Sequence, residues 1–351
     1  MAIILDAPVS PTDLTVLTRN VPSQNQLLLN RILPDRHTLS MEVDFAVVTK
    51  TGNTARFRAF DGPAHITPRD SLVLNRAPLI PLTGAKPVIS EQDAARLYNL
   101  REGGAYLESI AESIYDDVTN ITLDIQRRAE QARGSVLATG TLVMNEGGLN
   151  GTLDYGVPSG NKVTAPILWS STGTADIITY LNTLRTAYIA LNGYAPGGMV
   201  TSTNVLNFMQ QNTKLQSMVV QQFGPSLGGF AGLITQNALN AILGAYNLPQ
   251  LSFVYDTRIN VDGGAGITPV LPTNIVLLLP PEGVEVGYTA WGPTVTANKL
   301  VGEGNLGEVA PGLAGWVDRG DEFPYKTQTF VDSLMLPVLT NANALMIVTV
   351  A

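Results

Sequence analysis

The side chains with the greatest capacity for chemistry are few in this sequence. It contains no cysteine and only two histidines, His37 and His65. The lack of cysteine excludes disulfides, thiolate metal sites and a cysteine nucleophile. Histidine acts as a metal ligand or proton carrier mainly where other ligands or a carboxylate stand at a matching spacing. Neither histidine has such neighbours, so we interpret both as solvated or interface residues.

One stretch has the form of a hydrolase motif. Residues 224–228 read Gly-Pro-Ser-Leu-Gly, which matches the G-x-S-x-G pattern around a nucleophilic serine. Such a serine follows a strand and needs a histidine farther along the chain. Here the preceding segment has a helical pattern and no histidine follows His65. There is also no G-x-x-x-x-G-K-[ST] phosphate loop. We therefore predict a turn between helices, no enzyme activity and no cofactor.

A long amphipathic helix is the clearest element of the pattern. The spacing predicts it over about residues 104–138, with an apolar stripe that recurs every three or four residues: Leu107, Ile110, Ile114, Val118, Ile121 and Ile125. Acidic residues occupy its first half and arginines its second half, an order that complements the helix dipole. We expect Gly134 to weaken this helix and Gly140 to follow its C-terminus.

The segment before this helix reads as extended. Alternation over residues 41–47 and 55–59, with a turn at Thr51-Gly52-Asn53, predicts a β-hairpin. The proline-containing residues 61–88 predict a structureless excursion that packs on a neighbouring chain. Residues 1–38 predict an arm with one short helix near residues 23–29, which lies on something other than its own core.

The rest of the chain predicts a mixed α+β fold. Residues 140–170 read as β structure, and helices are expected at 176–192, 202–223 and 227–246. Strands are expected at 251–255, 274–279, 327–336 and 345–350. Charged residues make up only 14% of the chain against the roughly 25% of an ordinary soluble protein. This low charge favours a surface that is largely buried against other chains.

Four stretches resemble the lambda-type phage major capsid protein E family. His37 to Asp44 resembles its entry strand, and Arg133 to Leu142 resembles the end of its long helix. Residues 251–277 resemble its unit of strand, variable loop and strand. Residues 328–337 together with 344–350 resemble its C-terminal end. The order of these stretches, which span nearly the whole chain, carries the resemblance.

The resemblance implies a Hong Kong 97-type capsid fold of class α+β. Residues 1–38 would be the N-terminal arm, 39–88 the E-loop, 89–172 the P-domain with its spine helix, 173–304 the A-domain, and 305–351 a return to the P-domain. It implies self-assembly into pentamers and hexamers in the bacterial host cytoplasm, and a place in the virion. The implied partners are a separate scaffolding protein, a portal and a cement protein.

Charge and hydropathy indicate neither tight binding of DNA nor insertion into a membrane. The net charge of −8 argues against tight binding of a phosphate backbone, so DNA would be contacted only non-specifically. No apolar run reaches membrane-spanning length. Three other classes of protein are alternatives to a phage capsid protein: an encapsulin-like compartment protein, a tail or other virion protein and, least favoured, a hydrolase.

Within this fold the sequence predicts one inter-subunit contact. Residues 46–88 carry six basic and two acidic side chains, whereas residues 90–133 carry nine acidic and five basic ones. We expect the basic E-loop of one subunit to lie over the acidic spine helix of the next, or else two separately solvated faces. The predicted contact residues are Arg56, Phe57, Arg58 and Phe60 on the loop and Glu108, Glu112, Asp116 and Asp117 on the helix.

Overall fold

The computed structural model describes residues 9–49, 71–89, 104–223, 234–261, 266–302, 312–319 and 327–351. The helices in these ranges are α1 (Pro11–Asn20), α2 (Gly104–Thr139), α3 (Ile177–Asn192), α4 (Thr203–Gln211), α5 (Thr213–Phe223), α6 (Gln236–Ala245) and α7 (Val295–Gly302). Short 3-10 turns occupy Leu29–Arg31, Ser159–Asn161 and Ala342–Ala344.

The strands in these ranges form two five-stranded sheets and three hairpins. They are β1 (Asp35–His37), β2 (Glu42–Thr49), β3 (Ser71–Pro78), β4 (Ile80–Ile89), β5 (Thr141–Glu146), β6 (Leu149–Asp154), β7 (Lys162–Thr164), β8 (Gly198–Thr201), β9 (Gln250–Val254), β10 (Arg258–Val261), β11 (Gly266–Pro269), β12 (Ile275–Leu279), β13 (Gly287–Gly292), β14 (Ala314–Arg319), β15 (Thr327–Leu339) and β16 (Met346–Thr349). One sheet has the order β1-β13-β15-β14, with β4 also paired to β15, and the other has the order β7-β16-β12-β8-β9. The hairpins are β2-β3, β5-β6 and β10-β11.

The chain divides into two compact units. Unit 1 comprises Met1–Asp44, Arg76–Gln131 and Thr289–Pro337, and unit 2 comprises Phe45–Asn75, Ala132–Tyr288 and Val338–Ala351. The core of unit 2 lies between helices and the second sheet. Its largest fully buried members include Trp169, Leu181 and Tyr188. The C-terminal strand β16 sits inside that sheet between β7 and β12, so the end of the chain is part of this core.

The predicted bounds of the long helix, 104–138, are confirmed within one residue, since α2 comprises Gly104–Thr139. Ile114, Val118, Ile121 and Ile125 are buried, as the periodicity indicates. Gly140 follows the helix with φ +71°, and its N–H donates to Val136 O at 2.8 Å, so it is the predicted C′ glycine.

The expectation that Gly134 weakens the long helix is wrong, because α2 continues through it to Thr139. A Cβ atom at Gly134 would stand 2.4 Å from Val270 O. The residue is therefore glycine because a backbone carbonyl of the same unit passes directly over the helix at this point.

The N-terminal segment differs from its prediction. Residues 23–29 do not form the predicted α-helix. The α-helix of this segment is α1, which begins after Ser10. The Oγ of Ser10 accepts a hydrogen bond from the Asp13 N–H at 3.1 Å. Ser10 followed by Pro11 is a start signal that the prediction overlooked. The expectation that this segment buries nothing of its own is also wrong, since Leu14, Leu27, Leu29 and Leu33 are buried within the chain.

Two further expectations are corrected by specific contacts. The described part of the predicted structureless excursion, residues 71–88, belongs almost entirely to β3 and β4, and β2 pairs with β3. Residues 61–70 of the excursion and the predicted second strand at 55–59 lie outside the described residues. The helix expected over 202–223 is two helices. Asn212 separates them because its Oδ1 caps α5 at Leu215 N (3.1 Å) while its Nδ2 donates to Ala175 O (2.9 Å).

Candidate subunit interface

The solvent-facing side of α2 is acidic where the structure describes it. Glu112, Asp116 and Asp124 are exposed, and they alternate with the buried stripe of the same helix. Asp124 forms an ion pair with Arg127 at 2.7 Å. Of the predicted acids whose side chains are described, Glu112 and Asp116 are the exposed ones. Tyr115 lies between them and is 37% exposed, so this surface combines charge with an aromatic ring.

Asp117 faces its own subunit more than the other predicted acids do. It is half-buried, and burial raises the pKa of its carboxyl above the usual range; Lys86 on β4 acts in the opposite direction, and neighbouring Asp116 adds to the rise. Beside this pair, a Cβ atom at Gly84 would stand 2.3 Å from Ile121 Cγ2. Strand β4 thus packs closely on its own long helix, and Lys86 is already near Asp117.

The β2-β3 hairpin carries a compact ion cluster. Arg76 on β3 contacts the Asp44 carboxylate on β2 through Nε at 2.6 Å and Nη2 at 3.0 Å, and Glu42 lies 3.6 Å from Arg76 Nη1. The hydrogen bond from Arg76 holds the pKa of Asp44 below its usual range. Because these side chains are exposed, the cluster contributes little to stability. The cluster joins β2 to β3 through their side chains.

Several predicted contact residues lie outside what the structure describes. Arg56, Phe57, Arg58 and Phe60 belong to residues 50–70, and the side chain of Glu108 is likewise not described, although its backbone belongs to α2. The structure therefore brings together Glu112, Asp116 and Asp117 on one helix. It leaves their pairing with the loop as a prediction.

Several apolar side chains that the sequence did not single out are exposed in the described residues. The most exposed are Leu39 (77%), Ile267 (69%), Val295 (67%) and Val143 (61%). Val143 lies on the hairpin β5-β6, which has no third strand among the described residues. In the sequence, such residues in alternating strands are indistinguishable from core positions, because the alternation does not say which face is covered.

The described residues contain no candidate metal site and no candidate membrane span. No group of three or more His, Asp or Glu side chains in the described ranges could hold a metal ion, and no described helix is long and apolar enough to cross a membrane. The Gly224–Gly228 motif lies outside these ranges.

The comparisons with known proteins identify the class more narrowly. A family model described as phage major capsid protein E matches residues 10–350, and the chain belongs to this family. It is therefore a capsid shell protein of the virion. No curated protein matches the chain in a sequence comparison.

Solved structures agree with the family at the level of the fold. A phage-related protein from Bordetella bronchiseptica RB50 has a TM-score of 0.55 at 15% identity, covering 96% of this chain and 95% of its own. A protein from Escherichia coli CFT073, described as a candidate capsid protein of a prophage, has a TM-score of 0.54 at 14% identity, covering 98% and 94%. The predicted α+β fold of the Hong Kong 97 type is confirmed.

Proposed function

We propose that this chain is the major head protein of a tailed phage, which assembles as pentamers and hexamers in the cytoplasm of the bacterial host. The family match carries this proposal, and it favours a phage head over an encapsulin-like compartment or a tail tube. A separate scaffolding protein, a portal and a cement protein are the further partners. The chain itself has a structural role and no catalytic one.

The proposed domains are those that the resemblance implies. The E-loop comprises residues 39–88, the P-domain 89–172 with the return segment 305–351, and the A-domain 173–304, after an N-terminal arm of residues 1–38. Strands β2 and β3 support the E-loop, since they pair with each other and with no other strand among the described residues. Helix α2 supplies the spine of the P-domain.

We propose that the E-loop of one subunit lies over the spine helix of the next. Arg56 and Arg58 would face Glu112 and Asp116, which are exposed on α2, with Glu108 continuing this acidic surface. Asp117 would contribute less, because Lys86 of its own subunit is beside it. Burial of Phe57 and Phe60 would supply most of the binding, and the charges would set register and partner choice.

Charge reversal on the loop tests this contact. Replacing Arg56 and Arg58 together by glutamate should impair shell formation, because each exposed pair contributes about 0–1 kcal/mol and two reversals weaken the contact by about tenfold. Adding Glu112→Lys and Asp116→Lys should restore part of the yield. Electron microscopy would count shells, and circular dichroism would confirm that the subunit is folded.

Two comparisons make the result specific. Arg56→Lys with Arg58→Lys keeps both charges and should assemble like the wild type. If the double glutamate variant forms shells normally at both low and high salt, the electrostatic pairing does not order the shell. The two faces would then be separately solvated.

A further inference from the structure

The N-terminal segment of residues 10–37, here called the strap, begins on the outer strand of the first sheet. Helix α1 packs on β14, which is the edge of that sheet. Thr15 Oγ1 lies 3.3 Å from Gly315 N and 3.4 Å from Gly315 O. An open edge strand is a template for pairing with another chain, and α1 covers it while Thr15 bonds its backbone groups.

The strap then runs along the long helix α2. Three hydrogen bonds fasten it: Gln126 Nε2 to Val21 O (3.2 Å), Arg127 Nε to Gln24 Oε1 (3.3 Å), and Leu29 N to Glu130 Oε1 (2.8 Å). Glu130 is fully buried. A buried carboxylate needs hydrogen-bond donors, and here the backbone of the strap supplies one.

The strap ends as an outer strand of the first sheet. Its last residues form β1, which pairs in parallel with β13. Trp291 Nε1 donates to Asp35 Oδ1 at 2.6 Å, and Thr289 Oγ1 donates to Leu33 O at 3.1 Å. In the part of the strap that joins α1 to β1, four apolar side chains are buried: Leu27, Leu29, Ile32 and Leu33.

We propose that the strap stays on its own subunit in the assembled shell, and that β14 and the strap-facing side of α2 are therefore closed to neighbouring subunits. Removing the strap would expose these buried leucines, the Glu130 carboxylate and the β14 edge at the same time. An exchange would have to rebuild all of these contacts with a neighbour's strap, although only four residues join β1 to β2. This inference rests on the proposed shell function, and it excludes an exchange of N-terminal arms between subunits.

The absence of cysteine from the chain makes the proposal directly testable. A Cβ atom at Gly315 would stand 3.2 Å from Thr18 Cγ2, so Thr18→Cys with Gly315→Cys places two thiols within disulfide distance. Purified subunits of this variant would be assembled first, then oxidised and run on a non-reducing gel. We expect nearly complete cross-linking within single chains, with the band at the monomer position. Subunits that are oxidised before assembly should form shells as well as reduced ones do.

Other outcomes have distinct meanings. Cross-linked dimers or ladders from assembled particles, or oxidised subunits that no longer assemble while reduced ones do, would overturn the proposal. Val16→Cys with Gly315→Cys is the control, since Val16 is 53% exposed on the far side of α1 and should not cross-link within a chain. Failure of wild-type chains to assemble would instead contradict the shell function.

A second pair covers the case in which Gly315→Cys prevents folding. Gln24→Cys with Arg127→Cys, joined by a short bismaleimide, gives the same reading because the native side chains touch at 3.3 Å. A monomer-sized product from shells supports the proposal, and a dimer-sized product contradicts it.

Discussion

Replacing Gly134 by alanine is expected to lower the free energy of unfolding by about 2 kcal/mol. In an exposed helix this change is stabilising by about 1 kcal/mol, because alanine is the better helix former. Here the new methyl group would meet Val270 O at 2.4 Å and Val270 Cγ1 at 2.5 Å. The side chain could rotate away, but the backbone carbonyl could move only with its segment. Overpacking typically costs about 1–3 kcal/mol. A contact this short with a backbone atom lies at the upper end of that range, so about 2 kcal/mol of loss remains after the helix gain is subtracted.

Urea denaturation of dissociated subunits, followed by circular dichroism, measures this effect. The matched control is Gly302→Ala at the end of α7, where an added methyl group meets no atom within 4 Å and stability should stay constant or rise. If Gly134→Ala also stabilises the protein, then the close approach of residue 270 to the long helix is not real.

Replacing Asn161 by alanine is expected to cost about 2–3 kcal/mol of stability. Its buried Nδ2 donates to two backbone carbonyls that flank the turn before β16, Asn343 O at 2.9 Å and Leu345 O at 3.0 Å. Loss of a donor to a buried carbonyl costs about 1–3 kcal/mol. The turn leads into β16, which lies between β7 and β12 in the second sheet, so its loosening should affect the whole of unit 2.

The carbonyl of Asn343 allows a second test of this prediction by a double variant. Asn192 Nδ2 also donates to Asn343 O, at 3.1 Å, so either asparagine alone keeps that oxygen bonded. The double variant Asn161→Ala/Asn192→Ala should therefore lose more stability than the two single variants together, by roughly 1 kcal/mol. Asn150→Ala on the exposed strand β6 is the control. Strictly additive losses in urea titrations would show that Asn343 O is not shared.

Elements with their own periodicity and end signals could be predicted from the sequence. Helix α2 could be predicted because Ile114, Val118, Ile121 and Ile125 mark one face and Gly140 marks the end. Helix α3 has the same signals, since Asp176 caps its first turn at Thr179 N and Gly193 follows it with φ +78°. In such segments the local preference and the tertiary packing agree.

Elements that depend on distant contacts could not be predicted in this way. Besides Leu14, helix α1 buries Thr15 and Thr18, because its partner is the backbone of a strand 300 residues later in the sequence. The break at Asn212 depends on carbonyls of residues 172 and 175. Neither contact leaves a periodic signal near the residues that it shapes.

The candidate interface could be predicted only in its charge balance. The sequence shows which residues are acidic on α2, but not that Lys86 lies beside Asp117 or that Arg76 binds Asp44. It also cannot show which apolar residues remain exposed in the subunit, such as Leu39 and Ile267. These features depend on which surfaces the rest of the chain covers.

The most direct test of the shell function is the size of the particles that the purified full-length chain forms. Sedimentation velocity across a wide range of concentrations, with electron microscopy of the same samples, should show capsomer-sized oligomers and closed shells. The family match, the low charge content and the exposed apolar side chains all lead to this expectation. A single monomeric species at every concentration, with and without a co-expressed scaffolding protein, would contradict it.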